Sequence, residues 1–572
     1  MSELASGWPG EAHRAAPLVR PKASRDDLLM RIGMLLATAV LTVGLVLPLG
    51  FLLWRGFLDQ DGNFVGLANF LNYVTTPSLL SSVWNSVWTA ALTAVIVVPV
   101  AFVYAYGLTR SCMPFRPVFR AIALIPVLAP SLLPALALIY LFGNQGFLTP
   151  LIGRSLYGPA GIVVAQMFYT FPHAVIILAV ALGTADARLY EAAEALRASR
   201  GRILRTVTLP GAKFGLVSAS VVVFTLVVTD FGIPKVIGGD FNVLATDIYK
   251  QVVGLHNFNM GAVVGMVLLV PAVVAFFLEL WARRQQTAAL SGRAVPYVPR
   301  PRARRDLSVL GVCTVVAVLL IGIVGTAVWG SLVTFWPFNL SLTLKNYDFA
   351  RFDSAGWGSL FVSIQMAGLA AIIGTIVVFV VAYLLERGPK GSWLTPVLRF
   401  FVGLPLAVPG LVLGLAYIMF FNEPWNPLGF IQGTIIILVL NSLIHFYTVC
   451  HLTATTAIRQ LDPEFEPTSA SLKVPVWLTF LRVTVPINLP VILDIAVYIF
   501  VNAMTTVSAV IFLYGPDTKP ASVAVVHMDE AGQIAAAAAM AVAILVVTIL
   551  AKLLQVSTSG LVERKTQAWR RR

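Results

Sequence analysis

The chain has 572 residues, of which 58% are apolar and only 12% are charged, and its mean hydropathy is +0.85. This composition excludes a soluble globular protein and indicates a chain that crosses a membrane many times. The net charge of +14 does not indicate nucleic-acid binding, because basic residues near helix ends orient membrane proteins and meet anionic lipid headgroups. We expect the lipid bilayer, and no nucleic acid, as a partner.

Twelve stretches are long and apolar enough to cross a bilayer, which takes about 20 mainly apolar residues per helix. Six lie in the first half, at 32–54, 83–109, 119–142, 160–183, 214–238 and 260–282. Six lie in the second half, at 307–335, 358–385, 396–421, 431–457, 487–514 and 533–556. The predicted fold class is therefore an all-α polytopic membrane protein with about 12 transmembrane helices.

Basic residues predict the orientation, because loops rich in Lys and Arg stay in the cytoplasm. With the N-terminus inside, few of the 40 basic residues fall outside: Arg55, Arg154, Lys235, Lys250, Lys345, Arg351 and Lys519. We expect both termini to be cytoplasmic. The predicted units are a cytoplasmic tail (1–31), a first transmembrane half (32–283), a basic cytoplasmic linker (284–306), a second transmembrane half (307–557) and a cytoplasmic tail (558–572).

The two halves repeat one another at a spacing of 276 to 279 residues. The corresponding positions are Ala105-Tyr106 with Ala382-Tyr383, Pro126 and Pro130 with Pro405 and Pro409, and Pro210 with Pro486. Six spans are an even number, so both halves enter the membrane in the same direction. Such parallel repeats are related by an axis along the membrane normal, and a transport pathway is expected where the halves meet.

A polar segment at 191–210, here called loop 1, separates the fourth and fifth spans of a very apolar chain. Its alanine-rich start predicts a short helix, for which Asp186 is a candidate N-cap. A weaker copy at 466–486, here called loop 2, separates the tenth and eleventh spans and follows Asp462-Pro463, a stronger helix start. Two such loops on one side predict a soluble partner in two copies.

Loop 1 resembles the signature loop of permease subunits of binding-protein-dependent ABC importers: Glu-Ala-Ala, a glycine four residues after the second alanine, and a closing Leu-Pro. The matching residues are Glu191, Ala192, Ala193, Leu196, Ser199, Leu209 and Pro210. The match in loop 2 is degenerate and is carried by Glu466, Ser469, Leu472 and Pro486. Arg197 and Lys473 stand where the family has its glycine.

The resemblance covers the full length and is greatest to the fused two-half permeases of the 2-aminoethylphosphonate and ferric-iron importers. It implies the type I ABC importer permease fold in a bacterial inner membrane. It also implies two copies of a cytoplasmic ATPase that dock on loops 1 and 2, and an extracytoplasmic solute-binding protein. The segments 229–249 and 500–532 resemble the phosphonate branch most, so a phosphonate is the expected substrate and ferric iron the alternative.

The sequence contains no G-x-x-x-x-G-K-[ST] phosphate loop, so we expect no cofactor in this chain and ATP hydrolysis by the partner. Three scattered cysteines and six scattered histidines indicate no metal site. A secondary transporter driven by an ion gradient is the less favoured alternative, and it would work without an ATPase. A membrane enzyme is weaker still, because no catalytic constellation is recognisable.

Polar groups at membrane depth are functional candidates because burying them is costly. The candidate pathway residues are Asp230, Asn502, Thr505 and Thr506. For Asp230, pathway lining and a structural hydrogen bond between helices are equal alternatives. For the other three, hydrogen bonds between helices are favoured over contact with substrate.

The remaining polar groups in the spans receive structural interpretations. Asp494 and Asn441 are expected to bond between helices, and His173, His445 and His451 likewise, rather than to hold iron or relay protons. Outside the membrane, 59–67 and 515–532 are expected to be exposed segments, with docking of the binding protein and ordinary solvated loops as equal alternatives.

Overall fold

The computed structural model describes residues 25–153, 155–289, 295, 297–389 and 392–566. Within these ranges nine helices are long and apolar enough to cross a membrane on their own. Three further pairs of helices, each bent by more than 40° at a short break, bring the number to twelve if each pair is one span. The predicted all-α polytopic fold with about 12 spans is confirmed. Most of the predicted N-terminal tail, the last six residues of the predicted C-terminal tail and part of the predicted linker lie outside the described residues.

The first half begins with a span made of two helices joined through a π-helical turn. The membrane helices of the first half are Arg25–Leu41 with Leu47–Arg55, Pro77–Arg110, Arg116–Leu128 with Leu132–Phe142, Pro159–Gly183, Leu209–Thr229 and Phe258–Ala289. Its shorter helices are Ala68–Thr75, Thr149–Ile152, Ala187–Ala195, Arg200–Ile203, Gly232–Ile237 and Leu244–Tyr249. Proline at the first position starts Pro77–Arg110 and Pro159–Gly183, where its missing N–H costs nothing.

The second half follows the same plan, with one addition after its first span. Its membrane helices are Ala303–Leu332, Gly358–Arg387, Leu394–Gly403 with Gly410–Phe421, Ile435–Arg459, Leu489–Thr505 and Ile534–Thr566. Its shorter helices are Phe465–Ser471, Val476–Thr479, Val485–Ile487 and Ala521–Glu530. The addition is an antiparallel hairpin of the strands Val333–Phe335 and Asn339–Leu342, in which Val333 pairs with Leu342.

Three predicted spans end earlier than expected. The fifth was expected to reach 238, but its helix ends at Thr229, and the eleventh was expected to reach 514 but ends at Thr505. The next residue in each case, Asp230 or Thr506, has extended backbone angles (ψ 131° and 135°). The seventh span stops at Leu332 because the following residues pair as a strand.

The third span of each half is sharply broken, by 99° in the first half and 112° in the second. Pro130 and Pro409 stand at the breaks, and the residues before them, Ala129 and Val408, are extended. A proline ring clashes with a helical conformation of the preceding residue and supplies no N–H to the next turn. The proline pairs that revealed the repeat thus also set its geometry.

The first span of each half packs on the other half. Leu47–Arg55 packs against Gly410–Phe421, and the Tyr417 hydroxyl donates a hydrogen bond to the Gly44 carbonyl. Ala303–Leu332 packs in turn against Leu132–Phe142. The two halves are therefore interlocked by a reciprocal exchange of their first helices.

The outer surface of Ala303–Leu332 is apolar and open. Val315, Val318 and Leu319 are each more than 60% exposed, although they are aliphatic. A contiguous surface of this kind is stable only against another apolar phase, which for a spanning helix is the lipid hydrocarbon.

Loops 1 and 2 both lie at the end of the molecule where the first helix begins. The Ala187 N–H donates to the Val295 carbonyl of the linker (2.9 Å), and the Val476 N–H donates to Asp26 Oδ2 (3.3 Å). We call this end the loop end. The hairpin and the short helix Ala521–Glu530 lie at the opposite end.

Candidate functional site

Loop 1 presents a short helix with an open outer surface. The Asp186 carboxylate accepts a hydrogen bond from the Arg188 N–H (3.1 Å) and caps Ala187–Ala195, as expected. Tyr190 is buried against the body, whereas Glu191 and Ala192 are exposed and Ala193 is half-buried. Leu196, at the end of the helix, is 82% exposed, which is unusual for leucine beside a well-packed bundle.

The rest of loop 1 returns the chain to the membrane. Ser199 caps the next helical turn by accepting a hydrogen bond from the Arg202 N–H (3.4 Å). A π-helical turn, Leu204–Thr208, follows, and then Leu209, half-buried, and Pro210 open the fifth span. The predicted loop residues thus form one continuous surface element.

Loop 2 repeats this plan with a different anchor. Its helix, Phe465–Ser471, ends in Leu472, which is 71% exposed, and a π-helical turn again precedes Pro486. Glu466 points inward, however, and pairs with Arg387 (3.0 Å). Ser469 is half-buried. Glu191 faces outward and Glu466 faces the body, so the two acids do not play the same structural part.

Both loop helices end in a left-handed residue at the position where the resembled family has glycine. The φ angles of Arg197 and Lys473 are +54° and +56°. Residues other than glycine pay roughly 1–2 kcal/mol for this conformation. Both loops therefore keep the left-handed turn, although neither has the glycine that adopts it without strain.

The four candidate pathway residues are brought together around one small cavity between the halves. It measures about 90 Å³ and lies where the fifth span of each half ends, at Asp230 and Thr506. Its polar lining residues are Ser131, Tyr169, His173, Asp230, His445, Asn502, Thr505, Thr506 and Ser508. Non-helical backbone at membrane depth is tolerated where it is buried or lines a cavity, and such breaks are typical of transport sites.

Asp230 forms a hydrogen bond to another helix, and its side chain also lines the cavity. Its Oδ2 accepts hydrogen bonds from Gln166 Nε2 (2.8 Å) of the fourth span and from the Ile233 N–H (3.0 Å). The carboxylate is thus fixed between two elements and also lines the cavity. A charge held in place in this way can contact a passing solute without rearrangement.

A second cavity of about 250 Å³ adjoins the first and shares Tyr169, Asp230, His445, Phe446 and Ser508 with it. Glu279 also lines it, and its carboxylate accepts a hydrogen bond from the Ser218 hydroxyl (2.8 Å). Among the described residues, two carboxylates and no lysine or arginine line the two cavities. The fixed Asp230 carboxylate is shared by both cavities.

Two interpretations of the polar residues were wrong. Asn502 and Thr505 bond to the carbonyls of Tyr498 (2.8 Å) and Val501 (3.0 Å) in their own helix, not to another helix. The cause is their place in its last turn, where backbone carbonyls lie within reach of short polar side chains. Asn441 does bond across, to the Ala509 carbonyl, and Asp494 accepts a hydrogen bond from Gln555 of the last span, as expected.

The histidines also differ from expectation. His173 and His445 both line the smaller cavity, and neither imidazole bonds to another helix within the described part of the chain. The Nδ1 atom of each ring is buried without a hydrogen-bond partner among the described residues. Ser131, Tyr169 and Ser508 were missed altogether. Ser131 follows the break at Pro130, and Tyr169 lies one turn before His173, so the proline break and helical spacing were the available signals.

The described residues contain no group of three or more His, Cys, Asp or Glu side chains placed to hold a metal ion. The polar groups that line the cavity are therefore separate single groups. This arrangement suits transient passage better than tight coordination.

At the opposite end, ion pairs hold loops and short helices together. Lys235 pairs with Glu530 (2.6 Å) and Arg55 with Glu423 (3.1 Å), and both pairs join the two halves. The segment 515–532 was expected to be exposed, but its helix Ala521–Glu530 is mostly buried because it packs on Gly358–Arg387 and the last span. The segment 59–67 is largely exposed, and the hydrogen bond from the Asn63 N–H lowers the pKa of Asp59.

Comparison with known families matches two stretches of the chain, one in each half. The family described as "Binding-protein-dependent transport system inner membrane component" matches residues 98–286 and 388–560, which together make up more than half of the chain. Each stretch includes one loop, so the repeat found in the sequence is a repeat of this family's unit.

Similar proteins carry transport names. FbpB 1 of Haemophilus influenzae, provisionally named a ferric transport system permease, is 30% identical over 74% of this chain and 69% of its own. The ferric transport system permease protein FbpB of Actinobacillus pleuropneumoniae is 29% identical, and the match covers 80% of this chain and 68% of that protein. A solved bacterial alginate ABC transporter, in complex with its alginate-bound periplasmic protein, is 15% identical, covers 47% of this chain and 97% of its own, and has a TM-score of 0.38.

These relatives are transport subunits rather than enzymes, and ATP hydrolysis belongs to a separate ATPase subunit. The chain therefore belongs to the inner membrane components of binding-protein-dependent transport systems, as a fused two-half permease subunit of an ABC importer.

Proposed function

We propose that this permease carries ferric iron through the cavities around Asp230, coupled to a cytoplasmic ATPase through loops 1 and 2. The observation that carries the proposal is the pair of adjoining cavities at the junction of the halves, with Asp230 fixed between them. Among the described residues no lysine or arginine lines these cavities, so the fixed Asp230 carboxylate favours a cationic solute.

This charge argument bears on the two substrates suggested by the sequence. A phosphonate would bring negative charge next to Asp230 and Glu279, and like charges a few ångströms apart repel. The two FbpB relatives named above carry ferric transport names, and neither carries a phosphonate name. Ferric iron, the alternative of the sequence analysis, is therefore preferred to 2-aminoethylphosphonate.

We further propose that the loop end is cytoplasmic, as the basic residues predicted, and that each loop docks on one of two copies of the ATPase. The exposed Leu196 and Leu472 support this, because each lies at the end of an exposed helix that no described part of the chain covers. The extracytoplasmic binding protein then meets the opposite end, where the segment 59–67 is exposed.

Uptake into proteoliposomes tests the proposal. The full chain is reconstituted with its ATPase and binding protein, and uptake of ferric iron and of 2-aminoethylphosphonate is measured with ATP inside. We expect iron uptake that falls at least about tenfold in Asp230→Asn, since about 1.4 kcal/mol lost at one step gives that factor. Asp61→Asn removes an exposed carboxylate at the opposite end and is the matched control.

Two results would count against the proposal in different ways. Uptake of phosphonate without uptake of iron would overturn the substrate and leave the permease assignment intact. Iron uptake that is equal in wild type and Asp230→Asn would overturn the pathway.

A further inference from the structure

A large cavity at the loop end lies between loop 1 and the linker, far from the proposed pathway. It measures about 580 Å³. Its charged lining residues are Arg110, Glu194, Arg200, Arg302, Arg304 and Arg305. Five arginines face one glutamate, so this cavity is strongly positive, the reverse of the cavities around Asp230.

Arg110 is the buried member of this cluster. Only 2% of the residue is exposed, and its Nε and Nη1 have no hydrogen-bond partner within the described part of the chain. The guanidinium lies 4.7 Å from the ring centre of Tyr190 and 4.5 Å from that of Tyr297. Aromatic faces offset only part of the cost of burying a cation, so Arg110 lacks an anion.

The second half shows what such an arginine needs. Arg387 occupies the place of Arg110, and both donate to an equivalent carbonyl, that of Leu182 in the first half and Ile458 in the second. Arg387 also pairs with Glu466 at 3.0 Å. The residue equivalent to Glu466 in the first half is Tyr190. The repeat therefore keeps the arginine, but among the described residues no carboxylate pairs with it in the first half.

The other arginines of the cavity are only partly paired with carboxylates, so positive charge remains in excess. Arg302 pairs with Glu194 (3.1 Å) and Arg305 with Asp306 (2.7 Å). Arg200 and Arg304 are exposed and pair with no carboxylate among the described residues. Arginine forks match phosphate oxygens in bidentate geometry, which makes phosphate the anion that such a cluster binds best.

The apolar part of the lining limits what surrounds the phosphate. Phe102, Val103, Ile203 and Leu204 line the same cavity. Val103 lies on the second span and is 37% exposed, so this wall continues onto the membrane surface of the helix. A lipid headgroup can place its phosphate among the arginines and its chains along this wall, and a soluble phosphate can use the arginines alone.

We propose that this cavity binds a phosphate group, from an anionic phospholipid or a soluble phosphate compound, which neutralises Arg110. The bound group bridges the loop 1 helix and the linker, which already touch through Ala187 and Val295. Loop 2 has no need of such a ligand, because Glu466 supplies the charge internally.

The test uses the purified full chain in detergent and two probes. Phosphatidylglycerol, compared with phosphatidylcholine, is titrated and counted by native mass spectrometry, and inorganic phosphate is titrated in a thermal unfolding assay. We expect selective binding of at least one probe by the wild type. We expect binding at least about tenfold weaker in Tyr190→Glu. The new carboxylate would pair with Arg110 as Glu466 pairs with Arg387, and it would replace the bound phosphate.

Two further variants guard against misfolding and unspecific charge effects. Arg200→Gln with Arg304→Gln changes exposed residues only, and we expect the same loss of binding. Arg120→Gln removes an exposed arginine of the loop end that does not line the cavity, and we expect wild-type binding. Lipid binding alone identifies a headgroup, and phosphate binding alone a soluble ligand. Binding of neither probe, or equal binding by wild type and Tyr190→Glu, would overturn the proposal.

Discussion

Lys235 of the first half and Glu530 of the second form an ion pair of 2.6 Å at the end opposite the loops. Lys235 lies on the short helix Gly232–Ile237 that follows the fifth span, and Glu530 ends the short helix Ala521–Glu530 of the other half. The pair thus spans the junction of the halves on the outer side of the cavities.

We expect Lys235→Gln to loosen this contact and to raise ATP hydrolysis by the assembled transporter in the absence of binding protein. The pair is partly exposed, so its loss is worth about 0.2–1 kcal/mol, and the rate should rise by up to about fivefold. The exchange Lys235→Glu with Glu530→Lys should restore the basal rate. Lys345→Gln, an exposed lysine of the same end, is the control, and a wild-type rate in Lys235→Gln would contradict this role.

The two loop acids should respond differently to substitution. Glu191 is exposed on the loop 1 helix, so we expect Glu191→Lys to weaken binding of the ATPase by about tenfold or more and to reduce transport. In pull-down assays Arg188→Gln, an exposed neighbour with the opposite charge, serves as the control. Intact assembly and transport in Glu191→Lys would show that loop 1 does not dock through this residue.

Glu466 should instead act on the local structure of loop 2. It pairs with Arg387, so Glu466→Gln leaves the partly buried arginine without its carboxylate. We expect faster amide hydrogen exchange across Phe465–Ser471 in the isolated chain, with the loop 1 helix unchanged. Unaltered exchange in loop 2 would mean that the ion pair does not hold this helix.

The left-handed residues offer a stabilising change. Arg197→Gly and Lys473→Gly should each slow hydrogen exchange of the preceding helix by about two- to fivefold. Glycine removes a conformational cost of roughly 1–2 kcal/mol. It also loses more backbone entropy on folding than other residues, which offsets part of this gain. Ala195→Gly, inside a helical turn, should do the opposite. Faster exchange in Arg197→Gly would refute the strain argument.

The exchanged first helices can be tested with two glycines of one helix. A methyl group added at Gly330 would come within 2.5 Å of the Tyr140 ring of the other half, whereas one added at Gly322 meets nothing within 4 Å. We expect Gly330→Ala to destabilise the chain by about 1–3 kcal/mol and to lower its unfolding temperature. Gly322→Ala should leave it unchanged or raise it slightly. Equal unfolding temperatures would speak against this contact.

Much of the fold followed from local patterns, because a spanning helix must be apolar along its whole length. The breaks at Pro130 and Pro409 were also visible as matched prolines. Hydropathy could not place the ends at Thr229 and Thr505, since the short buried segments that follow are as apolar as a span.

The sites were less accessible to sequence reasoning. Asp230 was recognisable as a charge at membrane depth, but its neighbour Gln166 lies in another span, and His445 comes from the other half. The inward turn of Glu466 depends on Arg387, far away in the chain, and the repeat spacing places Glu466 opposite the buried Tyr190 rather than opposite Glu191. Such contacts are products of tertiary packing.

The exchange of first helices has a consequence for biosynthesis. The hydrogen bond between Tyr417 and Gly44 joins positions 373 residues apart. At about 5–20 residues per second, the ribosome needs roughly 20–75 s to deliver the partner of the first helix. During that interval the first helix lies in the bilayer without its native neighbour. The chain therefore completes its assembly only late in synthesis. Halves made separately would each lack the helix that the other half supplies.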